Sequence, residues 1–155
     1  MLIDLLIAIL WSLSPFGEAK VGIPYGLLNG VNKYVVFLFC FLANLLVFPM
    51  MMFFLEKINR YFTRWRSYKR SAIFVARRAK KGSGKNVQRF GFLGLMLFVM
   101  LPVPGTGVYA GSIATYLFKM DKKKAFWANA IGIFFSSLIV WSATLLTMKG
   151  ISMPL

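Results

Sequence analysis

Two stretches decide how this chain folds: PFGEAKVGIPYG at residues 15 to 26, and PVPGTGVYAG at residues 102 to 111. Together they hold ten of the nineteen glycines and prolines in the protein, and each interrupts an apolar segment near its middle. Proline lacks the amide donor a helix needs and glycine weakens a helix, so neither segment reads as a continuous membrane-spanning helix. The apolar legs ahead of them, Leu2 to Leu13 and Phe92 to Leu101, are only ten to twelve residues long. At about 1.5 Å per residue such a leg reaches roughly the middle of a bilayer and no further.

Working outward, each interrupted segment is followed by an uninterrupted one. Tyr34 to Leu55 and Ala125 to Met148 are charge-free apolar runs of 22 and 24 residues. Crossing a bilayer takes about 20, and both runs are apolar on every face rather than striped. They are expected to be transmembrane helices. The first leg precedes its spanning helix by 32 residues (Leu2 to Tyr34) and the second by 33 (Phe92 to Ala125). Paired Gly/Pro-interrupted segments at matching places in two halves are the pattern of a transporter with a central site.

Composition and charge agree. Of 155 residues, 59% are hydrophobic and 15% charged, with 19 basic residues against 4 acidic ones and a formal net charge of +15. Soluble domains average about 45–50% apolar and about 25% charged. Twelve of the basic residues lie between Lys57 and Arg89, where there is no acid, and four more are Lys119, Lys122, Lys123 and Lys124. Basic loops stay in the cytoplasm, so the chain from 90 to 118 enters and leaves on the same side.

The predicted architecture is therefore an all-α integral membrane protein, one membrane domain over 1–155, built as an inverted repeat. Its parts are a re-entrant hairpin (1–30), a transmembrane helix (34–55), a basic cytoplasmic connector (57–89), a second re-entrant hairpin (90–118) and a last transmembrane helix (125–148). A single broken crossing over 1–30, with Met1 inside, is the other arrangement open to the first hairpin. Asp4 and the late first base, Lys20, argue against a secretory leader. In the connector Ile58, Tyr61, Phe62, Trp65, Ala72, Ile73 and Ala76 recur at three- and four-residue steps, as in an amphipathic helix lying on anionic headgroups. Nucleic acid is not an expected partner.

With no histidine and with Cys40 as the only cysteine, disulfides, Cys/His zinc sites, haem attachment and His-dependent nucleophilic catalysis are excluded. No metal, cofactor or enzymatic activity is expected. The candidate chemistry lies in the hairpins, because non-helical backbone survives at membrane depth only where protein or a water-filled cavity satisfies it. Glu18 and Lys20, with Pro24 nearby, place charge where it is most costly, which marks a functional candidate. Burial favours the protonated form of Glu18 and Lys20 the charged form, so its proton is open to switching. The second hairpin contributes Pro102, Pro104, Gly105, Thr106 and Gly107, whose small residues let amides converge on an anion. Asn44 and Pro49 are candidates to line the cavity, Ala128, Gly132 and Ser136 form a small-residue packing face, and Asn129 is read as interhelical glue.

The residues from Glu18 to Gly26, Ala43-Asn-Leu-Leu-Val-Phe-Pro49, Phe90-Gly-Phe-Leu-Gly-Leu95 and Leu101-Pro-Val-Pro-Gly-Thr-Gly107 together resemble the small multidrug export protein family over nearly the whole chain. Lys20 stands where that family often has Arg. The family is similar to the wider DedA (VTT-domain) superfamily, whose members carry two facing re-entrant hairpins with an acid and a proline in the first. The resemblance implies proton-coupled translocation of an amphipathic or lipid-phosphate substrate, such as a polyprenyl phosphate, across the cytoplasmic membrane by a multi-pass protein. Glu18 matches the hairpin carboxylate and Lys20 the basic position of the motif. An uncoupled lipid scramblase and a small-molecule exporter are the alternatives. Four membrane segments are few to enclose a pathway, so a homodimer is expected.

Overall fold

The computed structural model describes residues 2–62, 84–102 and 107–152, and the described residues are helical with short turns between. Helices α1 (Leu2–Leu13), α2 (Glu18–Leu28) and α3 (Lys33–Phe62) precede α4 (Gly84–Met100), α5 (Val108–Leu117) and α6 (Lys122–Ser152). The short legs expected from the sequence are α1 and the part of α4 after Gly91, where a backbone φ of 23° and ψ of −94° kink the helix.

The interruption in the first half is narrower than the sequence suggests. Only Ser14 to Gly17 leaves the helix; Glu18 to Gly26, Pro24 included, belongs to α2. Pro24 stands seventh in α2, beyond the first turn, so the helix accommodates it at the cost of one i to i−4 hydrogen bond. Helix α2 folds back along α1. A Cβ on Gly17 would lie 2.7 Å from the Trp11 carbonyl, while one on Gly22 would meet Ser12 and Ala8, and one on Gly26 would lie 3.3 Å from Ala8 Cβ and 2.7 Å from Val36. As α2 advances, its neighbours on α1 recede, so the two run antiparallel at a spacing only glycine permits.

Helices α3 and α6 are also antiparallel. Phe37 packs edge-on to Trp141 at 5.9 Å, Phe41 to Phe134 at 5.9 Å and Phe48 to Phe126 at 5.9 Å; Glu56 pairs with Lys122 at one end. Lys57 and Lys119 to Lys124 therefore lie at the same end of the pair, and Lys33 and Lys149 at the other. The apolar segments run from Lys33 to Ile58 and from Lys122 to Gly150, longer than the charge-free runs at both ends. Terminal lysines extend along apolar surface while keeping their ammonium groups in water. Only 39% and 22% of these windows are buried in the protein, so the helices are not the core of a water-soluble fold. Leu38, Leu42, Leu46, Phe53, Phe135 and Ile139 face outward. An apolar surface on that scale belongs in lipid. This is a membrane protein.

The core divides into two clusters. Ala8, Ala19, Ile23, Leu27, Val36 and Cys40 join α1, α2 and the start of α3, covered by Trp141 and Leu145 from the end of α6. Leu95, Val99, Val108, Ala125, Ala128 and Ile133 join α4, α5 and the start of α6, with Val47, Phe48 and Met52 from the second part of α3. The same pairs of helices are in contact when α1, α2 and α3 are exchanged for α4, α5 and α6, but not to the same extent: α1 packs extensively on α2, whereas α4 and α5 touch little and α4 packs chiefly on α6. Ala128, Gly132 and Ser136 do form a packing face: a Cβ on Gly132 would lie 2.8 Å from the Met96 carbonyl of α4.

The turns match too. After α2, Gly30 N–H donates to Leu27 and Val31 N–H to Gly26; after α5, Lys119 N–H donates to Tyr116 and Met120 N–H to Thr115, 89 residues further on. This is the Schellman ending, whose C′ residue takes the left-handed conformation. Gly30 does so at φ 74°, and Lys119 is forced to at φ 52°. Lys119→Gly should raise thermal stability in detergent by about 1 kcal/mol, because glycine meets no Cβ clash there; Gly30→Ala should lower it.

The spanning helices then begin on equivalent caps. Asn32 Oδ1 accepts from Tyr34 N–H at 3.0 Å and Asp121 Oδ1 from Lys124 N–H at 2.9 Å. The Lys124 amide holds the Asp121 carboxyl below the usual carboxylate range, helped by the Lys123 amide and both lysine charges. A folded value below the unfolded one means that the cap contributes fully above the unfolded pKa and is lost as pH falls through the folded one. Asp121→Asn should keep the cap and flatten the acid limb of a thermal-melt series in this window, leaving the Asn32 end unaffected.

The expected connector falls mostly outside the described residues. Helix α3 continues to Phe62 and α4 begins at Gly84, so Ile58 and Tyr61 extend the spanning helix, while Trp65, Ala72, Ile73 and Ala76 lie outside the described residues.

Candidate functional site

The first residue of α2 and the first turn of α5 meet. After α1 ends, Glu18 N–H and Gly17 N–H both donate to the Ser14 carbonyl, at 3.0 and 3.3 Å. This tight turn sets Glu18 at φ 53°, a conformation that costs a residue with a Cβ about 1 kcal/mol. It also turns the side chain away from α2 and toward the other half of the molecule.

There Glu18, 3% exposed, lies against Gly107, the residue that precedes α5. A Cβ built on Gly107 would fall inside the Glu18 carboxyl group. The backbone of Val108 and Tyr109, which open α5, lies beside the carboxylate. Lys20 Nζ lies 3.5 Å from Glu18 Oε2, with side-chain exposures of 11% and 4% for the two residues. Oε1 makes no hydrogen bond among the described residues. The carboxylate thus occupies an anion position at the N-terminus of α5, where unpaired amides and the helix dipole favour negative charge.

A second link closes the same junction. Tyr109 O–H donates to the Leu13 carbonyl at the end of α1, supplying one of the partners that a helix C-terminus lacks. Tyr109 was visible in the sequence only as one aromatic among small residues; the stronger signal is that it stands 89 residues after Lys20, at the same place in its own half. Helices α2 and α5 have no extensive face in common, so α5 meets the ends of α1 and α2 through these tip contacts.

Of the residues singled out from the sequence, the structure brings together Glu18, Lys20 and Gly107. Pro24 lies farther along α2, half-buried, about 9 Å from Glu18 at the helical rise. Pro102 is exposed just after α4, and Pro104, Gly105 and Thr106 lie outside the described residues. Asn44 is buried in α3, and its Oδ1 has no partner among the described residues. Pro49 instead faces outward into a groove with Phe48, Phe126 and Trp127. Asn129 does not bridge helices through a hydrogen bond: its Nδ2 donates to the Ala125 carbonyl one turn back at 2.8 Å. Its Oδ1 lies where Gly111 has no side chain, so it fills a space rather than tying two helices. Among the described residues no cluster of His, Cys, Asp or Glu can hold a metal ion.

Fold and site together define an all-helical membrane protein with a buried acid–base pair at the meeting point of two helix N-termini. A family model described as "Putative small multi-drug export protein" matches residues 18–139, and the chain belongs to that family. No curated protein and no solved structure matches the chain.

Proposed function

We propose that this protein is a proton-coupled carrier that moves an amphipathic substrate with an acidic headgroup, such as a polyprenyl phosphate, across the cytoplasmic membrane. The observation that carries the reading is the Glu18 carboxylate lodged at the N-terminus of α5 beside Lys20. While ionised, Glu18 fills the anion position itself. Taking up a proton removes the charge that Lys20 and the Val108 and Tyr109 amides hold there, and the vacated position suits the headgroup phosphate or carboxylate. Proton and headgroup thus occupy the site together, and release of the proton returns Glu18 and expels the substrate.

In this reading the chain is an inverted repeat of two re-entrant hairpins, each followed by a spanning helix, with the basic ends of α3 and α6 in the cytoplasm. Support comes from the antiparallel α3 and α6, the exchangeable helix pairings and the turns that recur at a constant offset. The halves would rock about the junction of Glu18 with Gly107, as in other repeat-built carriers. Two copies would assemble through the outward faces of the spanning helices. The DedA-like likeness in the hairpin motif points to the same class of substrate.

The family description favours a second reading, export of small amphipathic drugs. Proteoliposomes with an imposed pH gradient separate the two. Gradient-driven leaflet transfer of a short-chain polyprenyl phosphate, with no flux of a lipophilic cation, is the result expected. Flux of the cation alone would establish the exporter, and transfer of the lipid at the same rate without a gradient would make the protein a scramblase.

A further inference from the structure

We propose that Asn129 of α6 receives Glu18 when Glu18 carries a proton: the neutral carboxyl turns away from Gly107 and donates to Asn129 Oδ1, one turn further along α5. The inference rests on the carrier reading above and supplies a step that this reading needs. A protonated carboxyl is as large as a carboxylate, so loss of charge alone leaves the anion position filled. The side chain must also have somewhere to go. Protonation turns one carboxyl oxygen into a donor, and a buried donor without an acceptor is costly.

Helix α5 carries such an acceptor beside it. Gly107 and Gly111 are four residues apart, and the Gly111 N–H donates to the Gly107 carbonyl at 2.9 Å. At each of them an oxygen from another helix stands where a side chain would begin: a Cβ on Gly107 would lie 2.2 Å from Glu18 Oε1, and one on Gly111 would lie 2.2 Å from Asn129 Oδ1. Positions four apart share a helix face, about 6 Å along the axis. The three torsions of a glutamate move its carboxyl over distances of that order. Glu18 and Asn129 are 3% and 0% exposed, and neither Oε1 nor Oδ1 has a hydrogen-bond partner among the described residues. Asn129 Nδ2 donates to the Ala125 carbonyl at 2.8 Å, so the oxygen is the atom presented to α5. While Glu18 is ionised, two acceptors face one strip of helix and cannot bond; a proton on Glu18 makes them complementary. The titratable groups at Glu18 are Lys20 on its own helix and Tyr109 on α5. The charged residues of α1, α3, α4 and α6 lie toward the ends of those helices, and Cys40 of α3 packs with Ala8 and Ala19.

The test is infrared difference spectroscopy of the full chain in vesicles, titrated with pH in the absence of substrate and gradient. The carboxyl band of Glu18 is identified by its loss in Glu18→Gln. Asn129→Leu keeps the shape of the side chain and removes the acceptor. The midpoint of Glu18 protonation should fall by about one pH unit, a roughly tenfold loss of proton affinity, because only the neutral form loses a hydrogen bond. The band should also move to the frequency of a carboxyl that donates to nothing. Asn44→Leu removes another buried, unpartnered amide oxygen and should change neither quantity. An unchanged midpoint and band in Asn129→Leu overturns the proposal, and so does a shift of the same size in Asn44→Leu. If the leucine variant at 129 does not fold, the intact chain decides: with asparagine labelled at its side-chain carbonyl by carbon-13, an amide band should move at the Glu18 midpoint, and a stationary one overturns the proposal. No substrate enters the assay, so failure of Asn129 here leaves Glu18-dependent transport standing. A Glu18 carboxyl band that forms at no pH would instead remove the carrier reading, and this step with it.

Discussion

Glu18→Gln should reduce gradient-driven substrate transfer to the protein-free background, while the chain still inserts and remains helical. Glutamine keeps the size and shape of the side chain but replaces one carboxylate oxygen with an NH2 donor and removes both the charge and the exchangeable proton. It also leaves Lys20, whose side chain is 11% exposed, without the carboxylate beside it. Removing one partner of a buried pair costs about 3–5 kcal/mol, because the remaining charge stays desolvated. The single variant should therefore melt earlier than the parent. Adding Lys20→Met should restore much of that loss without restoring transport. This separation matters: stability recovered and flux absent assigns the pair to transport itself, whereas flux recovered together with stability would reduce Glu18 and Lys20 to a structural latch. Normal pH-dependent transfer by Glu18→Gln would remove the basis of the proposal.

The second large effect is expected at Gly107. Its backbone, with φ −85° and ψ −150°, is open to alanine, so any cost of Gly107→Ala is steric rather than conformational. The added methyl would occupy the position of the Glu18 carboxyl group. Either Glu18 must leave the helix ends or α5 must move, and overpacking of this kind costs about 1–3 kcal/mol, with more where neither side yields. Transport should fall with it. The decisive measurement is a double-mutant cycle of thermal stabilities with Glu18→Ala, which clears the space. Gly107→Ala should be nearly harmless in that background, giving a coupling of about 1–3 kcal/mol, and strictly additive effects would mean that the two residues do not touch.

Much of the architecture is legible in local properties. The two long apolar helices announce themselves by length without charge, the short apolar helices by being half that length, and the turns by clustered glycine and proline. The helix starts at Lys33 and Lys122 fall one and three residues before the expected Tyr34 and Ala125. Where the reading missed, the cause was again local. Pro24 looked like a break but lies inside α2, because the chain had already turned at Ser14 to Gly17. Asn129 looked like a bridge between helices, yet its amide hydrogen is satisfied by its own helix.

The candidate site divides along the same line. Sequence alone placed Glu18 and Lys20 in an apolar segment interrupted by glycine and proline, and a run of small residues in the matching segment of the second half, since both facts depend only on composition and spacing. Tertiary structure alone decided that the Glu18 carboxylate lies against Gly107 and the amides that open α5, and that Tyr109 reaches back to Leu13. Those partners are about ninety residues apart in the chain. What joins them is the left-handed turn at Glu18, the close approach of α1 to α2 across Gly22, and the antiparallel packing of α3 on α6, none of which any short stretch of sequence contains.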